Sequence, residues 1–262
     1  MKKRLPILCL FSMALPTLSF AGTACSEKPP TAESVQKAFQ LAIKSRNALD
    51  ASGAEVAIIG RVGQDLSQYG LRFSHAGFIW RDHPQAKWIV SHELNDCGTA
   101  NSALFDEGLA NFFFDDMYAW EAVILVPSTA LQASIAERLK NKPQLLNLHK
   151  PHYSMVAYPF TTKYQNSNQW VLEVLADAKM QDKTSSRAQS QAWLANHQYQ
   201  PTRLQIPALQ RLGGRLFKAN IAFDDHPNAL RFSSKIDTVT VDSLIQFIQQ
   251  IDPETTTQQL AL

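Results

Sequence analysis

Four short, apolar, β-rich runs crowd into residues 55–126. They are Glu55–Val62 (EVAIIGRV), Leu71–Arg81 (LRFSHAGFIWR), Lys87–Leu94 (KWIVSHEL) and Glu121–Val126 (EAVILV). Runs of this length, rich in Val, Ile and aromatic residues, predict strands. Asp82-His83-Pro84 separates the second from the third, a connection that suits a hairpin and therefore an antiparallel pair. Helical patterns flank the runs. Residues 31–50 place Val35, Phe39, Ala42, Ile43 and Leu49 at helical spacing behind Thr31 as N-cap, and Ser128–Leu139 is amphipathic with Ser128 as its cap. Residues 106–114 read as a short helix, and a further helix starts at Asn166 and runs through Trp170, Val171, Leu172, Val174 and Leu175. Tyr153–Phe160 reads as a strand closing the sheet. Residues 183–200 read as a polar surface excursion with one short helix, and Thr238–Ile251 as a strand followed by a helix capped at Asp242. The expectation is an α+β fold, an antiparallel sheet with helices packed on it.

The chain has 262 residues, 45% of them apolar and 18% charged. That is enough apolar material for a sizeable core, and it excludes a disordered tail, a coiled coil or a disulfide miniprotein. Lys2, Lys3 and Arg4, the apolar stretch Leu5–Leu18 and the small residues of Ser19-Phe20-Ala21 form the three parts of an export signal. Cleavage after Ala21 leaves a single α+β domain over residues 22–262 in the periplasm. It also leaves 22 basic against 23 acidic residues, since only the three cations are lost. A chain so balanced has no footprint for nucleic acid and no basic run to hold it on anionic lipid. Cys9 leaves with the signal. Cys25 and Cys97 remain, an even number in an oxidising compartment, and are expected to pair.

Three residues draw attention as chemistry. His75 lies within one strand, His92 within the next, and Ser167 at the start of the helix that follows Asn166. A hydroxyl at a helix N-terminus sits where developing negative charge is favoured. A strand histidine could serve as its base, and a neighbouring polar group could orient that base. An ordinary helix-start serine with two half-buried histidines fits the same spacing. A zinc site from His75, His83, His92 and Glu93 is a third reading, supported by no HExxH or CxxC pattern. No cofactor is expected. His149 and His152 read as loop surface, Asp224-Asp225-His226-Pro227 as a solvated turn, and Phe112-Phe113-Phe114 as core or the wall of a cleft. Asp106 and Glu107, adjacent on the expected helix, diverge and make no acid pair.

The order strand histidine, next-strand polar residue, then Asn166-Ser167-Asn168-Gln169-Trp170-Val171 resembles the permuted branch of the papain-like NlpC/P60 superfamily. That branch includes relatives of lecithin:retinol acyltransferase and bacterial amide hydrolases. The resemblance covers about residues 55–176, leaves 177–262 as an extension, and implies a papain-like core. It implies His75 as base, His92 as orienting residue and Ser167 at the position of a nucleophilic cysteine, acting on an amide or ester. A cell-wall peptide, a lipid-linked acyl group or another small molecule would be the substrate. Gln64, Asn166 and Trp170 are the accompanying binding candidates, Gln64 and the Ser167 N–H as oxyanion donors. Serine in place of cysteine leaves two outcomes open, retained hydrolysis or a silent binding module. The whole chain also resembles an uncharacterised family of secreted bacterial proteins, domain of unknown function 2145. That resemblance rests on Arg61–Ser67 (RVGQDLS), Ser74–Phe78 (SHAGF), Cys97-Gly98-Thr99 and Tyr164–Trp170 (YQNSNQW). It implies no activity.

Overall fold

Val56–Val62 is buried along its whole length, on both faces, so it must lie at the centre of a covered sheet. The computed structural model describes residues 29–114, 117–180 and 186–262. The expected export segment and Cys25 lie outside them. Along the chain run α1 (Ala32–Ser52), β1 (Val56–Val62), a 3-10 turn (Ser67–Tyr69), β2 (His75–Asp82), β3 (Lys87–Asn95) and β4 (Ser102–Gly108). Next come α2 (Leu109–Phe112), β5 (Ala119–Val126), α3 (Thr129–Lys140), α4 (Lys142–Asn147), α5 (Ser167–Met180) and α6 (Arg187–Asn196). The chain ends with β6 (Thr202–Gln205), α7 (Ala208–Phe217), α8 (Asn228–Phe232), β7 (Lys235–Thr238), α9 (Val241–Ile251) and β8 (Thr256–Ala261).

The main sheet has the order β4-β3-β2-β1-β5-β8, and every pairing in it is antiparallel. The α+β expectation holds. Alternation along each strand divides the core in two. Ala57, Ile59, Ile79, Val90 and Ile124 meet α1 and α2 on one face. Ile58, Phe78, Trp80, Val123 and Leu125 meet α3, α5 and α9 on the other. Residues 177–262 therefore share in the core: Val241, Leu244, Phe247 and Ile248 pack in one cluster with Trp170 and Val171. β6 and β7 form a separate two-stranded ladder over a small satellite cluster.

Thr31 caps α1 as expected, accepting from Ser34 N at 3.0 Å, and Ser128 caps α3. The phase of α1 differs from the expectation. Its sheet-facing stripe is Ala38, Leu41, Ala42, Ser45 and Leu49, whereas Phe39 and Ile43 are about half exposed. Two adjoining apolar stripes compete in this helix, and the smaller side chains won the sheet because they let the helix approach closely.

Four further expectations are corrected. Residues 106–108 are strand, the end of β4, and the helix after them lasts one turn. Tyr153–Phe160 is no strand. Its backbone groups bond to Ala100, Gln165 and Asn220 in turn, and the sheet edge beyond β5 is instead β8. That edge strand, TTQQLA, is mostly exposed and so lacks the apolar signature of a core strand. Residues 186–196 are no surface excursion, since Arg187, Ser190, Gln191 and Leu194 are buried. Thr240, in a capping box with Ser243, caps α9 rather than Asp242. Among the described residues no helix is long and apolar enough to cross a membrane.

Candidate functional site

The β2–β3 register runs from Asp82↔Lys87 to Phe78↔Ser91 and goes no further among the described residues. Past that pair the β3 side of the strand offers Ser74 and Ala76 no further ladder partner, although Gly77 still lies against His92. Asn168, in the first turn of α5, supplies one. Its Oδ1 accepts from Ala76 N at 3.0 Å, and its Nδ2 donates to Ser74 O at 3.2 Å. This clamp straddles His75 and brings the N-terminus of α5 to it.

Asn166 fixes the helix start. Its Oδ1 accepts from Gln169 N at 2.8 Å, which is an N-cap bond. Its Nδ2 faces Thr238 Oγ1, Val239 O and Met155 O. Ser167 follows as the first helical residue, with its Oγ 3.1 Å from His75 Nδ1. His75 Nε2 lies 2.8 Å from His92 Nδ1, and His92 Nε2 lies 3.3 Å from Glu107 Oε2 on β4. Four side chains thus form a line across three strands and a helix end.

Their order favours one arrangement of protons. The Glu107 carboxylate beside His92 Nε2, close but outside hydrogen-bond geometry, favours a proton on that nitrogen and leaves Nδ1 as an acceptor. His75 then donates Nε2–H to that nitrogen, and its free Nδ1 accepts from the Ser167 hydroxyl. Gly77 makes the close approach possible. A Cβ there would come within 2.9 Å of His92 Cβ and 3.0 Å of Ser91 O. Phe112 covers the dyad, its ring centroid 5.8 Å from His75 and 5.4 Å from His92. The Arg61 guanidinium lies over the same ring and donates to Phe112 O. Burial, then the Arg61 charge, then His92 hold His75 well below the usual imidazole range.

Tyr153 completes the first surroundings of Ser167. Its hydroxyl hydrogen-bonds with both the side chain and the backbone of Ser167, and burial pushes it up to about 12. The phenol is therefore a neutral donor at ordinary pH.

On the other face of β3, beside this line, lies a buried polar cluster. Glu173, one and a half turns down α5 from Ser167, accepts from Gln165, Gln169, Gln191 and the guanidinium of Arg187. Arg187 also donates to Thr162 O and Tyr164 O. Gln165 Oε1 takes Lys150 N, so the cluster ties down the segment that carries Tyr153. Glu93 is fully buried beside it, accepts from Ser102 Oγ at 2.7 Å, and is pushed by burial up to about 8.

The sequence signature of a family described as an uncharacterised protein conserved in bacteria, domain of unknown function 2145, matches residues 48–248. The chain belongs to this family. Every residue of the line from Ser167 to Glu107 falls inside the matched region, and β8 falls outside it. No curated protein and no solved structure matches the chain.

Of the residues singled out by sequence, Ser167, His75 and His92 come together. Gln64 is exposed in the segment after β1. Asn166 acts through the helix cap and the Thr238 strand end, and Trp170 is core, packed edge-on to Phe78. The side chains of the zinc reading do not converge: His83 faces Asp106, and Glu93 points to the opposite face from His92. His149 is half-buried, its Nε2 3.1 Å from Ser102 Oγ, rather than loop surface. Asp225 and His226 form a buried knot with Tyr158 N and Asp237 O, not a solvated turn. Cys97 lies in the turn after β3, and its expected partner Cys25 lies outside the described residues.

Glu107, Tyr153, Asn168 and Gly77 were not legible as site residues. Strand alternation would have put Asp106 and Glu107 on opposite faces and Glu107 beside His92. For Tyr153, on an irregular segment, no local signal exists.

Proposed function

We propose that this protein is an exported, periplasmic hydrolase or acyltransferase acting on an amide or ester through Ser167, His75 and His92. The carrying observation is the unbroken line Ser167 Oγ, His75, His92, with spacings of 3.1 and 2.8 Å. Resemblance to the permuted NlpC/P60 papain-like core supports it. In this reading His75 Nδ1 takes the Ser167 proton as Oγ attacks the acyl carbon. His92 and Glu107 stabilise the imidazolium that forms. The tetrahedral oxyanion is met by the neutral Tyr153 hydroxyl beside Ser167, in place of Gln64. His75 returns the proton to the leaving amine or alcohol, and water or a second acceptor then releases the acyl group from Ser167. Cell-wall peptides and lipid-linked acyl groups are the substrates that the location and the resemblance suggest.

A second reading, a binding module without catalysis, draws on the basicity of His75. An imidazole held below its usual range is a weaker base, and a serine hydroxyl needs more help than a thiol. A fluorophosphonate probe separates the two. Labelling of wild type at Ser167, lost in His75→Ala, is expected for the enzyme. Absence of labelling in both proteins overturns it.

A further inference from the structure

Helix α7 exposes large apolar side chains. A Cβ at Gly214 on it would meet Ile221 of the following loop at 3.5 Å. Leu209 and Leu212 are 83% and 55% exposed. The β6–β7 ladder places α8 beside them. Gln205 pairs with Lys235, and Ile206 N donates to Ser234 O, so the start of α7 and the end of α8 leave the same end of the ladder. Phe232, in the last turn of α8, is 83% exposed. Three large apolar side chains are thus exposed on the two helices that leave this end of the ladder.

The charge carried by the two helices themselves has one sign. Residues 206–223 contain Arg211, Arg215 and Lys218 and no acid, and residues 226–236 contain Arg231 and Lys235 and no acid. The neighbouring Asp224 is occupied by Lys163 at 2.7 Å and also lies 3.9 Å from Arg215. The five cations are scattered in sequence, which is why no basic run is visible there; the ladder and its two helices gather them. Apolar side chains on an exposed helix, bordered by arginine and lysine, are the arrangement that enters the headgroup region of a bilayer. A second copy would bring like charge against like charge.

We propose that α7 and α8 form a docking surface for an anionic phospholipid membrane. Leu209, Leu212 and Phe232 enter the interface, and Arg211, Arg215, Lys218, Arg231 and Lys235 meet the phosphates. The inference is independent of any chemistry at Ser167.

Hydrogen exchange on the full chain tests it locally, whatever other segments do. Vesicles containing phosphatidylglycerol should slow exchange in residues 208–217 and 228–232 by roughly tenfold or more, reversibly with salt. Pure phosphatidylcholine vesicles should leave these segments unchanged. The Leu209→Glu/Leu212→Glu variant should lose the protection while β1–β3 exchange as in wild type. If that variant loosens the sheet, Arg211→Gln/Arg215→Gln serves instead and should lose the preference for phosphatidylglycerol. Four results would overturn the proposal: no protection, equal protection by phosphatidylcholine, protection that survives the variants, or protection appearing on concentration without vesicles, which would indicate a second copy.

Discussion

Protonation of His75 would remove the acceptor that Ser167 needs, and three neighbours resist it: the low-dielectric surroundings, Arg61 and His92. A lowered imidazole keeps its neutral form to more acid pH than usual. If the proposed chemistry holds, probe labelling should stay level as pH falls through 6.5 and decline only well below it. Glu107 sets the other end of the line, 3.3 Å from His92 Nε2. Glu107→Gln removes the charge that favours His92 Nε2–H and so loosens the tautomer of both rings. The labelling rate should fall about 10–100-fold, since small errors in base geometry are costly. The acid limb should move with it. Glu107 is partly exposed, so the urea midpoint should barely change. Residue types and their order singled out His75, His92 and Ser167 as candidates, and the family resemblance supplied the proposed roles. Glu107 was not singled out, because residues 106–114 carry apolar spacing that suits a helix, and pairing with β3 overrode it.

Helix α5 shows how an element positions chemistry. Twelve of its residues are buried, so sequence periodicity gives its existence but no face. Its start is what matters. The Asn166 cap and the Asn168 clamp together aim Ser167 at His75 on β2. Asn166→Ala loses the cap bond and leaves buried acceptors at Val239 and Thr238 without their donor. Stability should fall by about 2–3 kcal/mol, read as a lower urea midpoint at unchanged slope. Caps on α1 and α3 were legible because Thr31 and Ser128 immediately precede clear apolar spacing. β6 and β8 were not, since each is short, polar and largely exposed.

At the scale of the whole molecule, the buried carboxylates beside the site couple stability to pH. Glu93 keeps its proton in the folded chain up to about pH 8, while an unperturbed glutamate loses it near 4.5. Between those values the folded state binds more protons than the unfolded one, so stability is full below about 4.5 and falls as pH rises toward 8. The slope should be about 1 kcal/mol per pH unit. Glu93→Gln, which keeps an acceptor for Ser102, should flatten that fall, as measured by urea denaturation at several pH values. Glu173 differs in having Arg187, Gln165, Gln169 and Gln191 around it, so its burial is compensated by hydrogen bonds from three parts of the chain.

Local composition determined the four central strands, the hairpin between β2 and β3, and the two capped helices, because strand propensity and capping act within a few residues. It also singled out His75, His92 and Ser167 as candidates for an acid–base line, one reading among those that the spacing allowed. Tertiary structure decided the rest. The end of the β2–β3 ladder is a property of pairing, the approach of His92 to Gly77 depends on register, and Glu107 and Tyr153 reach the line only through tertiary contacts. The same holds for α7: the exposure of Leu209 and Leu212 is set by how the helix lies on the chain, and its cations come near those of α8 only through the β6–β7 ladder.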